Sequence, residues 1–302
     1  MSTPEDMSRA LAEAGYLPDV GLATVVHLAV VLQRPLLLEG DAGVGKTALA
    51  QALATISGGP LIRLQCYDGL DQSQAVYEWD HARQLVHLRT AEATGELKGT
   101  GSAEVESELY SERFLIRRPI LEAISAPAGS PRPVLLIDEI DRADDEFEAF
   151  LLEVLSEFTV TVPELGTFRA AVVPIVVLTS NRTRDVHDAL KRRCLYHWVE
   201  HPSYEREVAI VVARAPQVSE LVARQVAGLV AHFRELGLYK SPGVAEVIDW
   251  ATALSMLGTD LTVEAARSTM GAAIKYREDG DRVEAADLEA LVASARGRAT
   301  VR

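Results

Sequence analysis

"LLLEGDAGVGKTALAQAL" (Leu36–Leu53) joins a strand pattern, a glycine turn and a helix pattern in eighteen residues. A strand-like apolar run, Leu36 to Leu38, stops at Gly40-Asp41-Ala42-Gly43-Val44-Gly45, and Lys46-Thr47 then opens a helix rich in alanine and leucine. The pattern is GxxxxGKT in a strand–loop–helix setting, where successive backbone N–H groups and a helix N-terminus converge on anionic oxygens. Glycine lets the backbone wrap closely around phosphates. The predicted nucleotide contacts are therefore Asp41, Ala42, Gly43, Val44 and Gly45, with Lys46, Thr47 and Ala48 at the helix start. Lys46 is expected to bridge the β- and γ-phosphates, and the Thr47 hydroxyl to ligate Mg²⁺.

Outward from the loop, five segments read as short buried strands: Pro35–Glu39, Leu61–Gln65, Val134–Ile137, Ile175–Thr179 and Leu195–Val199. Helical patterns between most of them predict an α/β domain with a mostly parallel sheet. Leu49, Leu53 and Ile56 form the core-facing stripe of the helix after the loop. About seventy residues separate the second and third strands, more than one crossover helix needs. This insert, at about 70–110, holds a helical pattern over Glu78–Ala93, then a polar, Gly-bearing stretch over Thr94–Glu108 that is expected to be mobile. Pro119 starts a further helix. Alternating Phe158, Val160 and Val162, a "PELG" turn and a return segment predict a β-hairpin over 158–170.

After about residue 203 the strand patterns stop. Four helical segments follow, with Gly237, Gly258 and Gly280 expected in the breaks and Ser241-Pro242 as cap and first turn of one helix. The expected division is an α/β nucleotide domain over 1–203 and an all-helical domain over 204–302.

Composition narrows the partners. Apolar residues at 48% and charged residues at 25% match an ordinary globular protein. The longest apolar run, "LATVVHLAVVL" (Leu22–Leu32), is too short to span a bilayer, and the N-terminus carries no basic leader or apolar signal core, so a cytoplasmic location is expected. A net charge of −14 argues against nucleic acid as the main partner. Cys66 and Cys194 show no CxxC spacing and read as buried reduced thiols.

Three further motifs carry chemistry. "VLLIDEIDRADDEFEAF" (Val134–Phe150) delivers Asp138 and Glu139 to the end of a buried strand. Asp138 has the position of a carboxylate that holds Mg²⁺ through water, and Glu139 that of the base for an attacking water. Asp141, Asp144, Asp145 and Glu146 are expected to cap and charge the next helix N-terminus. "PIVVLTSNRTRD" (Pro174–Asp185) is another buried strand, ending in Asn181, which can hold the nucleophilic water if that strand lies between the other two. "HDALKRRCLYHW" (His187–Trp198) ends a helix with Lys191-Arg192-Arg193; these cations suit a helix C-terminus, and a guanidinium also neutralises transition-state charge in phosphoryl transfer, often in trans.

In this order, phosphate loop, "LLIDEID", "VVLTSN", "ALKRRC" and a helical lid resemble an AAA+ ATPase, and the insert and hairpin resemble the MoxR branch. "YSERFLIRRPILEAI", "DEFEAFLLEVLSEFTVTVPELGTFRA" and "TSNRTRDVHDALKRRCLYHW" are similar to the CoxD-like subgroup associated with carbon monoxide dehydrogenase clusters. The resemblance implies Walker A roles for Lys46 and Thr47, Walker B roles for Asp138 and Glu139, a sensor 1 role for Asn181, and an arginine finger at Arg193 with Arg192 beside it. It implies ATP as substrate with Mg²⁺, core strand order 5-1-4-3-2 counted along the chain, and a C-terminal helical lid. It also implies a homo-oligomeric ring, usually hexameric, a von Willebrand A-domain partner and a metalloenzyme client, possible clients including a molybdenum/copper carbon monoxide dehydrogenase. Gly243 stands where many members carry the sensor 2 arginine, so none is assigned. The leading expectation is a Mg-ATP-driven remodelling chaperone. The alternatives are a DNA-directed AAA+ motor or helicase-loader-like ATPase, against which the acidic charge counts, and a slow nucleotide switch, against which Glu139 counts.

Overall fold

The computed structural model describes residues 2–95 and 101–300. Its strands are β1 (Leu36–Glu39), β2 (Leu61–Gln65), β3 (Tyr77–Trp79), β4 (Leu115–Arg117), β5 (Val134–Asp138), β6 (Thr159–Val162), β7 (Gly166–Arg169), β8 (Ile175–Ser180) and β9 (Leu195–Trp198). The helices are α1 (Pro4–Glu13), α2 (Val20–Leu32), α3 (Lys46–Ser57), α4 (Gln72–Ala75), α5 (His81–Thr94), α6 (Ser102–Leu109), α7 (Pro119–Ile124), α8 (Asp145–Glu157) and α9 (Asp188–Arg193). They continue with α10 (Tyr204–Arg214), α11 (Glu220–Glu235), α12 (Val244–Met256), α13 (Val263–Thr269), α14 (Arg277–Ala285) and α15 (Leu288–Thr300).

The chain divides into two compact units: Met1–Met7, Gly21–Glu39 and Ala50–His197 in one, Ser8–Val20, Gly40–Leu49 and Trp198–Arg302 in the other. In the first, a parallel sheet runs β2-β5-β8-β1-β9. Counting only these five strands along the chain, that is the expected 5-1-4-3-2 order read from the other edge. β1, β5 and β8 are buried at every position, as central strands covered on both faces must be, whereas β2 alternates. The register aligns their carboxyl ends: Glu39 pairs with Ser180, Ile137 with Leu178, and Gln65 with Asp138. The core gathers Leu37, Ile62, Leu135, Ile137, Val176 and Leu178 from the sheet with Phe147 and Leu151 from α8. The hairpin forms as expected, β6 pairing antiparallel with β7.

The insert departs from its sequence reading. Glu78 and Trp79 belong to β3, not to a helix, because β3 pairs antiparallel with β4, whose residues lie far along the chain. Helix α5 starts only after Asp80, whose carboxylate accepts the Arg83 N–H at 2.9 Å. The stretch expected to be mobile contains α6: Gly101 caps it, its N–H donating to the Glu104 carboxylate, and His87 of α5 meets Glu108 at 2.9 Å. Residues 96–100 of that stretch lie outside the described ones.

The second unit has its own core, centred on Phe233 and Trp250, whose rings stack 5.8 Å apart. Among the described residues six α-helices occupy 204–300 rather than four, α10 being the clearest addition and α14 and α15 dividing the last predicted segment. Gly280 lies inside α14, and the break falls instead at Asp287, which adopts φ 59°. Helix α12 is capped by Gly243 rather than Ser241, because Glu246 reaches back to accept the Gly243 N–H at 3.0 Å. No described helix is long and apolar enough to cross a membrane.

Candidate active site

The loop begins one residue past β1. Gly43 and Gly45 hold φ of 80° and 98°, left-handed values that turn the backbone around on itself before α3 starts at Lys46. The Lys46 ammonium is 7% exposed and donates to the carbonyls of Gly40 at 2.7 Å and Asp41 at 2.8 Å. A buried ammonium inside a glycine turn at a helix N-terminus fits an anionic polyphosphate. Beside the loop, Tyr16, Leu17, Val44, Ile210, Val244 and Ile248 line a mainly apolar slot of about 160 Å³, which suits the flat face of a purine. Arg206 of α10 fixes one wall, donating to the Leu17 carbonyl at 3.1 and 2.7 Å and to Asp19 at 3.2 Å.

At the carboxyl ends of β5 and β8 a second group forms. Asp138, 4% exposed, accepts the Thr179 hydroxyl at 2.5 Å on one oxygen and Arg63 at 2.5 Å on the other. Glu139 follows in a left-handed conformation (φ 56°, ψ 51°) that swings its side chain out of the strand path. Its N–H donates to Thr179 Oγ1 at 3.0 Å, and its carboxylate receives Gln65 at 3.1 Å and Arg142 at 2.9 Å. Asn181 Nδ2 reaches the other Glu139 oxygen at 3.4 Å. Asp138, Glu139 and Asn181, far apart in sequence, thus share one cluster. Paired carboxylates beside an amide can hold a hydrated cation and take a proton from water.

Arg192 and Arg193 are exposed on the last turn of α9 and line a different opening, with Arg34 and Phe158. The start of α9 is held by α8: the buried Glu148 carboxylate accepts the His187 N–H at 2.7 Å and also pairs with Arg184.

One acid has another place than its neighbours suggest. Asp144 does cap α8, accepting the Phe147 N–H at 2.8 Å. Asp141 does not: it is 3% exposed and accepts the N–H of Asn181 at 3.2 Å, the N–H of Thr183 at 2.8 Å and the Thr183 hydroxyl at 2.7 Å. It therefore sets the backbone that carries Asn181. Gln65, Arg63, Arg142 and Arg206 were equally silent in sequence; only the alternation of β2, which points Arg63 and Gln65 to one face, gave any signal. Cys66 and Cys194 are buried and unpaired with each other, as expected.

A family model described as "ATPase family associated with various cellular activities (AAA)" matches residues 36–199. No curated protein matches the chain. Among solved structures the chain is similar to a point mutant of Thermotoga maritima RuvB, at 14% identity over 93% of this chain and 73% of that one, with a TM-score of 0.48. It is also similar to the Thermotoga maritima RuvB Holliday junction branch migration motor, at 15% identity over 91% and 71%, with a TM-score of 0.45. With its family model spanning more than half of the 302 residues, the chain belongs to the AAA family of ATPases.

Proposed function

We propose that the chain is a Mg-ATP-hydrolysing AAA+ ATPase of the MoxR type that remodels or matures a partner protein. The observation that carries this reading is the cluster at the ends of β5 and β8, where Asn181 Nδ2 stands 3.4 Å from Glu139 Oε1. ATP is the substrate, its phosphates taken by Asp41–Ala48 with Lys46 between the β- and γ-phosphates. Thr47, and Asp138 through water, would hold Mg²⁺, which would supply neutralisation of the phosphate charge. Arg63, 54% exposed, can swing away and release the Asp138 oxygen it now occupies. Glu139 takes the proton of the attacking water, and Asn181 orients that water from the neighbouring strand. Gln65 and Arg142 hold the Glu139 carboxylate in the meantime. Arg193, with Arg192 beside it, is exposed and serves a neighbouring subunit's nucleotide in a ring, taken to be hexameric.

The finer assignment to the CoxD-like subgroup is supported by the motifs quoted above and by the two small sheets outside the central one, the β3–β4 pair with α5 and α6, and the β6–β7 hairpin. They are the surfaces through which we expect a von Willebrand A-domain protein and a metalloenzyme client, such as a molybdenum/copper carbon monoxide dehydrogenase, to engage the cytoplasmic ring. The test is the pair Glu139→Gln and Lys46→Ala. The first should retain ATP and hydrolyse it at least ~10²-fold more slowly, as loss of a general base demands; the second should lose nucleotide binding. Pull-down on Glu139→Gln should recover the partner only with ATP. Near-normal turnover by Glu139→Gln removes that residue from the chemistry, and DNA as the recovered ligand refutes the remodelling role.

A further inference from the structure

Helix α9 is short, and its final carbonyls have no partner within the helix. The Cys194 N–H takes the carbonyls of Leu190 and Lys191, at 3.3 and 3.2 Å. The next carbonyls all fall to one side chain. Arg34 donates from Nη2 to the carbonyls of Arg192 at 2.8 Å, Arg193 at 3.0 Å and Cys194 at 3.4 Å, and from Nε to Arg193 at 3.2 Å. A guanidinium supplies these bonds as a rigid planar fork, which a lysine cannot reproduce.

Arg34 is itself held. It follows Gln33, which adopts φ 53° at the end of α2, and its N–H donates to the Ala29 carbonyl at 3.1 Å, the closing bond of a Schellman turn. Pro35 follows, and its carbonyl accepts the Leu195 N–H at 2.8 Å, which ties β9 to the same segment. At the far end of β1, Glu39 lies 3.5 Å from the ammonium of Lys191. The segment from Arg34 to Glu39, which leads into the phosphate loop, therefore grips α9 twice, and the grip at Arg34 bears on the peptide groups of Arg192 and Arg193 themselves.

We infer that Arg34 is a positioning residue for the arginine finger: it fixes the peptide frame from which Arg193 reaches the neighbouring subunit. This inference rests on the finger role proposed above. Removing the fork leaves the last turn of α9 free to fray and the finger poorly aimed, while the subunit's own phosphate loop is untouched.

The experiment uses the full chain with substitutions Arg34→Gln and Arg34→Lys, and Arg193→Ala as reference. Arg34→Gln should lower ATP turnover at least tenfold with nucleotide affinity unchanged within twofold. Arg34→Lys, which keeps charge and stem but not the fork, should also fall severalfold, and carries the same test if Arg34→Gln does not fold. Mixed with Lys46→Ala subunits, each Arg34 variant should regain activity as Arg193→Ala does, because an intact finger then faces an intact loop. A general loss of structure would not be complemented in this way. Near-normal turnover by Arg34→Gln, or no recovery where Arg193→Ala recovers, overturns the inference. If Arg193→Ala itself shows no recovery in verified mixed oligomers, the finger reading fails and takes this one with it.

Discussion

Asp141→Asn isolates the buried acid that sets the Asn181 backbone. The native carboxylate takes three donors, two on the oxygen facing Thr183 and one on the oxygen facing Asn181. An asparagine amide can keep its oxygen toward Thr183, but its NH₂ then faces the Asn181 N–H donor to donor, and that hydrogen bond is lost. Leaving a donor unsatisfied costs about 1–3 kcal/mol, and the two remaining bonds each weaken by about 1 kcal/mol on losing the charge. With partial relaxation toward solvent the sum is about 2–4 kcal/mol. For a domain of this size that lowers the midpoint of the corresponding transition by about 5–12 °C, readable by differential scanning calorimetry. On the role proposed for Asn181, turnover should fall at least tenfold, because small misplacements of a group that orients the reacting water are costly. Thr183→Ala is the control: it removes only the hydroxyl bond, about 1 kcal/mol, and should leave turnover within twofold. A midpoint for Asp141→Asn within ~1 °C of the parent, with turnover intact, would refute the positioning role.

Two further outcomes test other parts of the structure. A Cβ added at Gly243 would stand 2.7 Å from Gly43 Cα and 2.8 Å from the Ala42 carbonyl oxygen, both backbone. Gly243→Ala should therefore destabilise by roughly 1–3 kcal/mol, as overpacking does, and loosen nucleotide binding; an unchanged melt and titration would contradict the close approach. Burial pushes the thiols of Cys66 and Cys194 up to about 12, so at pH 8 the native protein should resist iodoacetamide over minutes, while the chain in denaturant takes label at both cysteines. Rapid labelling of the native protein, followed by intact mass, would show either thiol to be open.

The central strands were legible because their signal is local: β1, β5 and β8 are covered on both faces, so each is an unbroken apolar run. The loop and the Asp138-Glu139 pair were legible for the same reason, each being a short motif beside such a run. What escaped reading depends on distant partners. Asp141 meets Asn181 across 40 residues and Arg63 meets Asp138 across 75, and neither pairing leaves a mark on its own neighbourhood. Asp141 sits among other acids before a helix, where the local rule predicts a cap, and tertiary geometry overrides it. β3 failed similarly, since three residues become a strand only when β4 supplies the hydrogen bonds.

The left-handed backbone at Glu139 has a bearing on how this chain can be improved. A side chain there costs about 1 kcal/mol or more against glycine, which occupies that region freely. Random mutagenesis scored on heat tolerance alone will thus be drawn toward glycine or asparagine at position 139, and each such gain discards the carboxylate. A library meant to yield a hardier protein with the hydrolysis proposed above should hold that codon fixed and seek its stabilising changes at surface positions remote from the strand ends.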